Sequence, residues 1–164
     1  LPPGADDGPH VNNEGAAMYK HILIPTDGSE LSEKAIGAGV DFARFIGARV
    51  TGFTAVPEYR TPSEAEIMAR RAKSIHDYEL DAKKQAESSL QPIADRARAA
   101  SVDYDAEFVL SDVPHEAIIL AAKKHGCDLI FMASHGRRGL SALVHGSETQ
   151  AVLTHSTIPT LVYR

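Results

Sequence analysis

The chain is predicted to fold as an α/β domain: a parallel sheet with helices on both of its faces. Three observations carry that prediction. Strand-like and helix-like stretches alternate from Met18 to the C-terminus, the order that builds parallel sheets through helical crossovers. Two strand candidates, Ile22-Leu23-Ile24 and Leu129 to Ala133, are continuous apolar runs, as expected of strands covered on both sides. The second run leads straight into a polar, glycine-bearing loop, and ligands of open α/β sheets sit beyond the carboxyl ends of strands.

Length and composition agree. A chain of 164 residues with 43% hydrophobic and 24% charged content suits one domain with a sizeable core. A formal net charge of −5 argues against nucleic acid or an anionic membrane surface as partner. The single cysteine, Cys127, excludes an intramolecular disulfide framework and fits a reducing, cytoplasmic compartment. Standing just before a buried strand, it reads as a packing residue rather than a reactive thiol. No apolar run approaches the roughly 20 residues of a membrane span, and no secretory signal is visible. Residues 1–17, opening Leu1-Pro2-Pro3-Gly4, have no apolar period. They are set outside the fold as a flexible extension of the kind an expression vector leaves, and the domain is expected to occupy 18–164.

The first strand, Ile22-Leu23-Ile24, stops at Pro25. Asp27-Gly28-Ser29 is turn chemistry, and Ser29 is placed to cap the following helix. That helix carries Leu31, Ala35, Ala38, Phe42 and Phe45 at three- and four-residue spacing and ends near Gly47. Arg49 to Val56, rich in β-branched residues, is the second strand. Pro57 and Pro62 mark a loop, and Ser63 with Glu66 forms a capping box. A long charged helix is expected from there to about Ala100, kinked or restarted at Pro92. Tyr104 to Leu110 is the third strand. Asp112 is expected to cap a helix with Ala117, Ile118, Ala121 and Ala122 on one face, closed by Gly126. Leu129 to Ala133 is the fourth strand, a short helix follows Gly146-Ser147, and Thr160 to Tyr163 is the fifth.

The segment from Asp128 to Glu148 carries the chemistry. Glycines at a strand end let backbone N–H groups approach an anion. A Gly-Ser pair opening a helix adds orphan N–H donors, a hydroxyl and the positive end of the helix dipole. Arg137 and Arg138 suit a phosphate chain. The same residues would also serve a plain surface loop, with glycines for turns and arginines for solubility.

The spacing Ala133-x2-Gly136-x9-Gly146-Ser147 resembles the nucleotide-binding signature of the universal stress protein family, G-x2-G-x9-G-[ST]. Tyr19-Lys20-His21-Ile22-Leu23-Ile24-Pro25-Thr26-Asp27-Gly28-Ser29 and the close at Ile158-Pro159-Thr160-Leu161-Val162 resemble the same family, so the likeness spans Met18 to Arg164. One position departs: the family's first glycine is Ala133 here, and alanine disfavours positive φ. The resemblance implies an open five-stranded parallel sheet of order 3-2-1-4-5, a Rossmann-like fold of the adenine nucleotide alpha-hydrolase kind. It sets the first-strand end beside Ala133 to Gly136. It implies that Pro25, Thr26 and Asp27 meet the nucleotide, that Val56 walls the adenine, and that Met132 and Ala133 lie along the ribose. Gly136, Gly146, Ser147 and the backbone of Glu148 would hold the phosphates, with Arg137 nearby. Read alone, Asp27 is equally an Asx-turn residue, and Val56 equally a core valine.

Histidines 115, 125, 135, 145 and 155 stand ten residues apart. That step matches neither a helix face nor a metal-ligand spacing and is taken as coincidence; His135 is expected to shape the loop. No G-x4-G-K-[ST], no G-x-G-x-x-G after the first strand and no G-x-S-x-G occurs. The resemblance implies, as the expected function, an ATP-binding regulatory module with Mg²⁺ on the phosphates. A family member that dimerises without nucleotide is the alternative. A slow ATPase or self-phosphorylating protein, with Ser147 or Ser134 as acceptor, is the third. A bound triphosphate without a general base or water-positioning residue would hydrolyse slowly, if at all. The strand from Pro159 to Tyr163 is apolar and carries no charge to protect it, so a homodimer through this edge is expected.

Overall fold

The computed structural model describes residues 18–69, 72–134 and 146–164. Its five strands are β1 (His21–Pro25), β2 (Arg49–Val56), β3 (Tyr104–Leu110), β4 (Leu129–Ala133) and β5 (Thr160–Tyr163). They form one sheet in the order β3-β2-β1-β4-β5, and each neighbouring pair is parallel. The helices are α1 (Glu30–Ile46), α2 (Glu64–Met68), α3 (Ile75–Ala99), α4 (Pro114–Lys124) and α5 (Ser147–His155). Strand order reverses between β1 and β4. There Ile22 lies opposite Leu129 and Leu23 opposite Ile130. Both strands therefore leave the sheet at the same level, with Thr26-Asp27 next on one and Ser134 next on the other.

The apolar runs are continuous because each strand is sandwiched. Ile22, Ile24, Val50, Leu129 and Phe131 belong to the core shared with Ile36 and Val40 of α1 and Ile93 of α3. Leu23, Phe53, Ile130 and Met132 face the other way, onto Ala117, Ile118 and Ala122 of α4 and Val152 of α5. Side chains alternate across a strand, so a strand buried on both faces must be apolar at every position. Helix α1 comes close to the sheet at Gly39. A Cβ there would lie 2.9 Å from Ile24 Cδ1 and 3.0 Å from a Phe131 ring carbon.

Most of the expected local chemistry is present. Ser29 caps α1 by accepting from the Ser32 N–H, and Gly47 closes it in the left-handed region at φ 70°. Ser63 and Glu66 form the reciprocal capping box on α2. Three expectations are corrected. The buried face of α1 runs through Ala35, Ile36, Val40 and Ala43, with Leu31, Ala38 and Phe42 packed against the same core as expected, whereas Phe45 is 87% exposed. The long charged stretch is two helices, and α3 starts afresh at its own cap, Ser74. Pro92 does not restart it. Leu90 and Ile93 are buried on either side, and their packing carries the helix past the carbonyl that Pro92 leaves without a donor. Finally, α4 begins at Val113 with no side-chain cap. Asp112 accepts instead from the Glu58 N–H at 3.2 Å and from Arg60 at 3.5 Å, tying the loop after β2 to the one after β3.

Candidate functional site

The β1 end is built by the hydrogen bonds of Thr26, Asp27 and Thr54. Thr26 is buried; its N–H donates to the Phe53 carbonyl at 2.8 Å, and its own carbonyl accepts from Thr54 Oγ1 at 2.8 Å. Thr26 Oγ1 takes the N–H of Gly28 at 3.1 Å, across a turn in which Gly28 has φ 73°. Asp27 Oδ1 accepts from the Ser29 N–H at 3.0 Å and from the Ser32 hydroxyl at 2.6 Å. Asp27 is thus an Asx-turn residue, and its half-buried carboxylate is fixed just beyond the end of β1. Beside the same turn a cleft of about 230 Å³ opens between α1 and α3, bordered by Thr26, Gly28, Glu33 and Ser88.

The β4 end is tied on both sides. The Ser134 N–H donates to the Tyr163 carbonyl at 2.7 Å, and the Ser134 carbonyl accepts from the Gly146 N–H at 2.8 Å. Thr149, in the first turn of α5, donates its hydroxyl to the Ala133 carbonyl at 3.0 Å. The opening of α5 is thereby held against the end of β4. Gly146 is its N-cap and offers no side-chain cap of its own, and Ser147 is exposed. First-turn N–H groups with the aligned dipole behind them form a site suited to an anion. Ala133 completes β4 in the strand. Among the described residues the positive-φ non-glycine is Ser101, so alanine at 133 carries no backbone strain.

Pro25, Thr26 and Asp27 therefore stand across the β1–β4 reversal from Met132, Ala133, Gly146, Ser147 and Glu148. Val56, also at a strand end, has its side chain packed with Ala82 and Ala86 of α3. The side chain of Glu148 turns away to His115, while its backbone stays in the first turn of α5. Gly136, Arg137, Arg138, His135 and His145 lie outside the described residues.

Residues 18–164 match the sequence profile of the universal stress protein family. The chain belongs to that family. Universal stress protein MJ0577 of Methanocaldococcus jannaschii is 28% identical over 159 residues, covering 91% of this chain and 97% of its own. The solved structure of MJ0577 superposes with a TM-score of 0.72 over 88% of this chain and 95% of that one. Two more distant structures share the fold. A universal stress protein in complex with cAMP has a TM-score of 0.60 at 22% identity, covering 89% of this chain and 97% of its own. A universal stress protein family protein from Arabidopsis thaliana with AMP bound has 0.61 at 14% identity, covering 87% of this chain and 90% of its own. Adenine nucleotides are thus ligands of structural neighbours of this universal stress protein.

Several residues that shape the site carry no motif. Thr54, Thr149, Ser32 and His115 act by contacts to residues distant in sequence or on the next turn. The only signal for the threonines is a polar residue on an otherwise apolar face, at positions now seen to be buried. Among the described residues, the regularly spaced histidines share no ligand-like cluster of three. His125 Nε2 lies 2.6 Å from Glu107, while the rings of His115 and His155 stack at 6.0 Å. No group of three His, Cys, Asp or Glu suited to a metal occurs among the described residues. At the other end of the sheet His21 is buried and its Nε2 lies 2.7 Å from Thr51 Oγ1. Burial first, then the charges of Arg49 and His125, hold His21 below its ordinary value, against the pull of Asp128. Burial also pushes the Cys127 thiol up to about 12, so this cysteine is a packing residue with little thiolate at neutral pH. Among the described residues no helix is long and apolar enough to cross a membrane.

Proposed function

We propose that this universal stress protein binds ATP as a regulatory nucleotide-binding module of the stress response. The observation that carries the reading is the seating of the α5 opening on β4. Hydrogen bonds from Gly146 to Ser134 and from Thr149 to Ala133 set Gly146 and Ser147 at the β1–β4 reversal. N–H groups and a hydroxyl at that opening fit a phosphate chain, and Thr26 and Asp27 stand opposite to take the nucleoside. The absent first glycine is no obstacle, because Ala133 is in ordinary extended strand. The adenine nucleotides bound by structural neighbours support the base specificity. Mg²⁺ fits as a companion of the phosphates, since it keeps much of its own water and needs few protein ligands.

Calorimetric titration with ATP, and with AMP for comparison, tests the reading. Binding at micromolar affinity is expected. Gly136→Val is expected to abolish it while leaving the far-UV spectrum intact, since the motif places a glycine there so that the backbone can approach the phosphates. Undiminished ATP binding by that variant would overturn the site assignment.

A further inference from the structure

Glu148 is the second residue of α5. An acidic side chain at such a position ordinarily turns back on its own helix opening, where the N–H groups and dipole attract it. That is the place where an incoming phosphate must bind, and the two anions would compete. Here the carboxylate has been drawn elsewhere. Its Oε2 accepts from the backbone N–H of His115 at 2.9 Å and lies 3.0 Å from His115 Nδ1, in a geometry that lets the ring donate.

His115 is the second residue of α4, and α4 has no side-chain cap of its own. Glu148 supplies that missing acceptor from 33 residues away. The imidazole is held in turn by stacking on His155, the last residue of α5, with the planes 29° apart. One ring thus links the start of α4, the start of α5 and the end of α5.

We infer that His115 is a positioning residue for the phosphate end of the nucleotide site. It parks the Glu148 carboxylate on α4 and leaves the α5 opening to the ligand's anion. This rests on the nucleotide-binding reading above. The device is electrostatic, so its effect scales with the charge on the ligand and vanishes for a neutral one.

The test is calorimetric titration of the full chain with ATP, ADP, AMP and adenosine, for wild type, His115→Ala and the double variant His115→Ala/Glu148→Gln. Removing the ring leaves the carboxylate held by the backbone N–H of residue 115 alone, so that it swings toward the ligand for part of the time. Affinity of His115→Ala for ATP is expected to fall roughly three- to tenfold, for one charge facing a polyphosphate across a few ångströms of partly screened space. The loss should shrink through ADP and AMP and be under about twofold for adenosine, which carries no charge to repel. The double variant should recover the ATP affinity, because the amide has no charge to release. A merely structural role would weaken adenosine as much as ATP and would not be recovered by Glu148→Gln. Equal affinities of wild type and His115→Ala, a loss independent of phosphate number, or failure of the double variant to recover would each overturn the inference. Wild-type protein that binds none of the four ligands would overturn the nucleotide reading itself, and the inference with it.

Discussion

The Thr149 hydroxyl donates to the carbonyl of Ala133 at 3.0 Å, and through this bond the first turn of α5 is fixed to the last residue of β4. Both residues are buried, so the carbonyl has no water to turn to if the hydroxyl is lost. Thr149→Val keeps the shape and removes the donor. It should lower stability by about 1–3 kcal/mol, the range for an unsatisfied buried polar group, and weaken ATP binding by loosening the α5 opening. Urea unfolding and calorimetry measure the two effects. A variant as stable as wild type would show that the bond is not a structural tie.

Ala133→Gly restores the family residue. The methyl of Ala133 is packed in the α1-side core, and the strand has no need of a glycine there. The expected outcome is a loss of about 1–2 kcal/mol from the extra backbone freedom and the lost buried methyl group, with ATP affinity within about twofold of wild type, since backbone φ at this position is already ordinary. Clearly tighter binding would mean that the methyl does obstruct the ligand.

Stability should depend on pH through His21. Its folded value is held below the ordinary 6.5 by burial above all, so below that pH the unfolded chain binds more protons than the folded one. Stability is therefore fully present above about 6.5 and falls as pH drops through the depressed folded value. In His21→Gln, which retains a polar group for Thr51, thermal midpoints should vary less between pH 7 and the onset of carboxylate titration, about one to two units lower. An unchanged slope would assign the effect to other groups.

The two sheet edges differ in protection. Strand β3 carries Asp105 and Glu107, whereas β5 from Thr160 to Tyr163 carries no charge and leaves Leu161 37% exposed. Pairing of β5 with its mate about a two-fold axis would use the unpaired N–H and C=O groups of that edge. Wild-type protein is expected to be dimeric by light scattering, and Val162→Lys monomeric. A wild-type monomer at micromolar concentration would refute the arrangement.

The sheet was legible in the sequence because burial on two faces leaves a contiguous mark: Ile22-Leu23-Ile24 and Leu129 to Ala133 show nothing else. Local caps were legible for the same reason, since Ser29, Ser63 and Gly47 act within a few residues of themselves. Periodicity placed Leu31, Ala35, Ala38 and Phe42 on the core side of α1 but overreached at Phe45, and it missed Ile36 and Val40 because the buried arc is broader than a single stripe. The Asp112 cap failed because a carboxylate able to cap a helix can equally join two loops, and that choice is tertiary. The site was half legible. Gly146 and Ser147 announce themselves by residue type, but the pairing of His115 with Glu148 joins separate helices and has no local trace.

The bond between the Gly146 N–H and the Ser134 carbonyl has a consequence for how such a domain diversifies. It clasps the chain on either side of residues 135–145, so the scaffold closes whatever is inserted between the two. Closure entropy rises only about 0.6 kcal/mol for each doubling of loop length. With the clasp in place, the positions of β4 and α5 are set by residues 134 and 146 themselves, so a substitution between them is expected to be read in ligand binding and not in the register of the sheet.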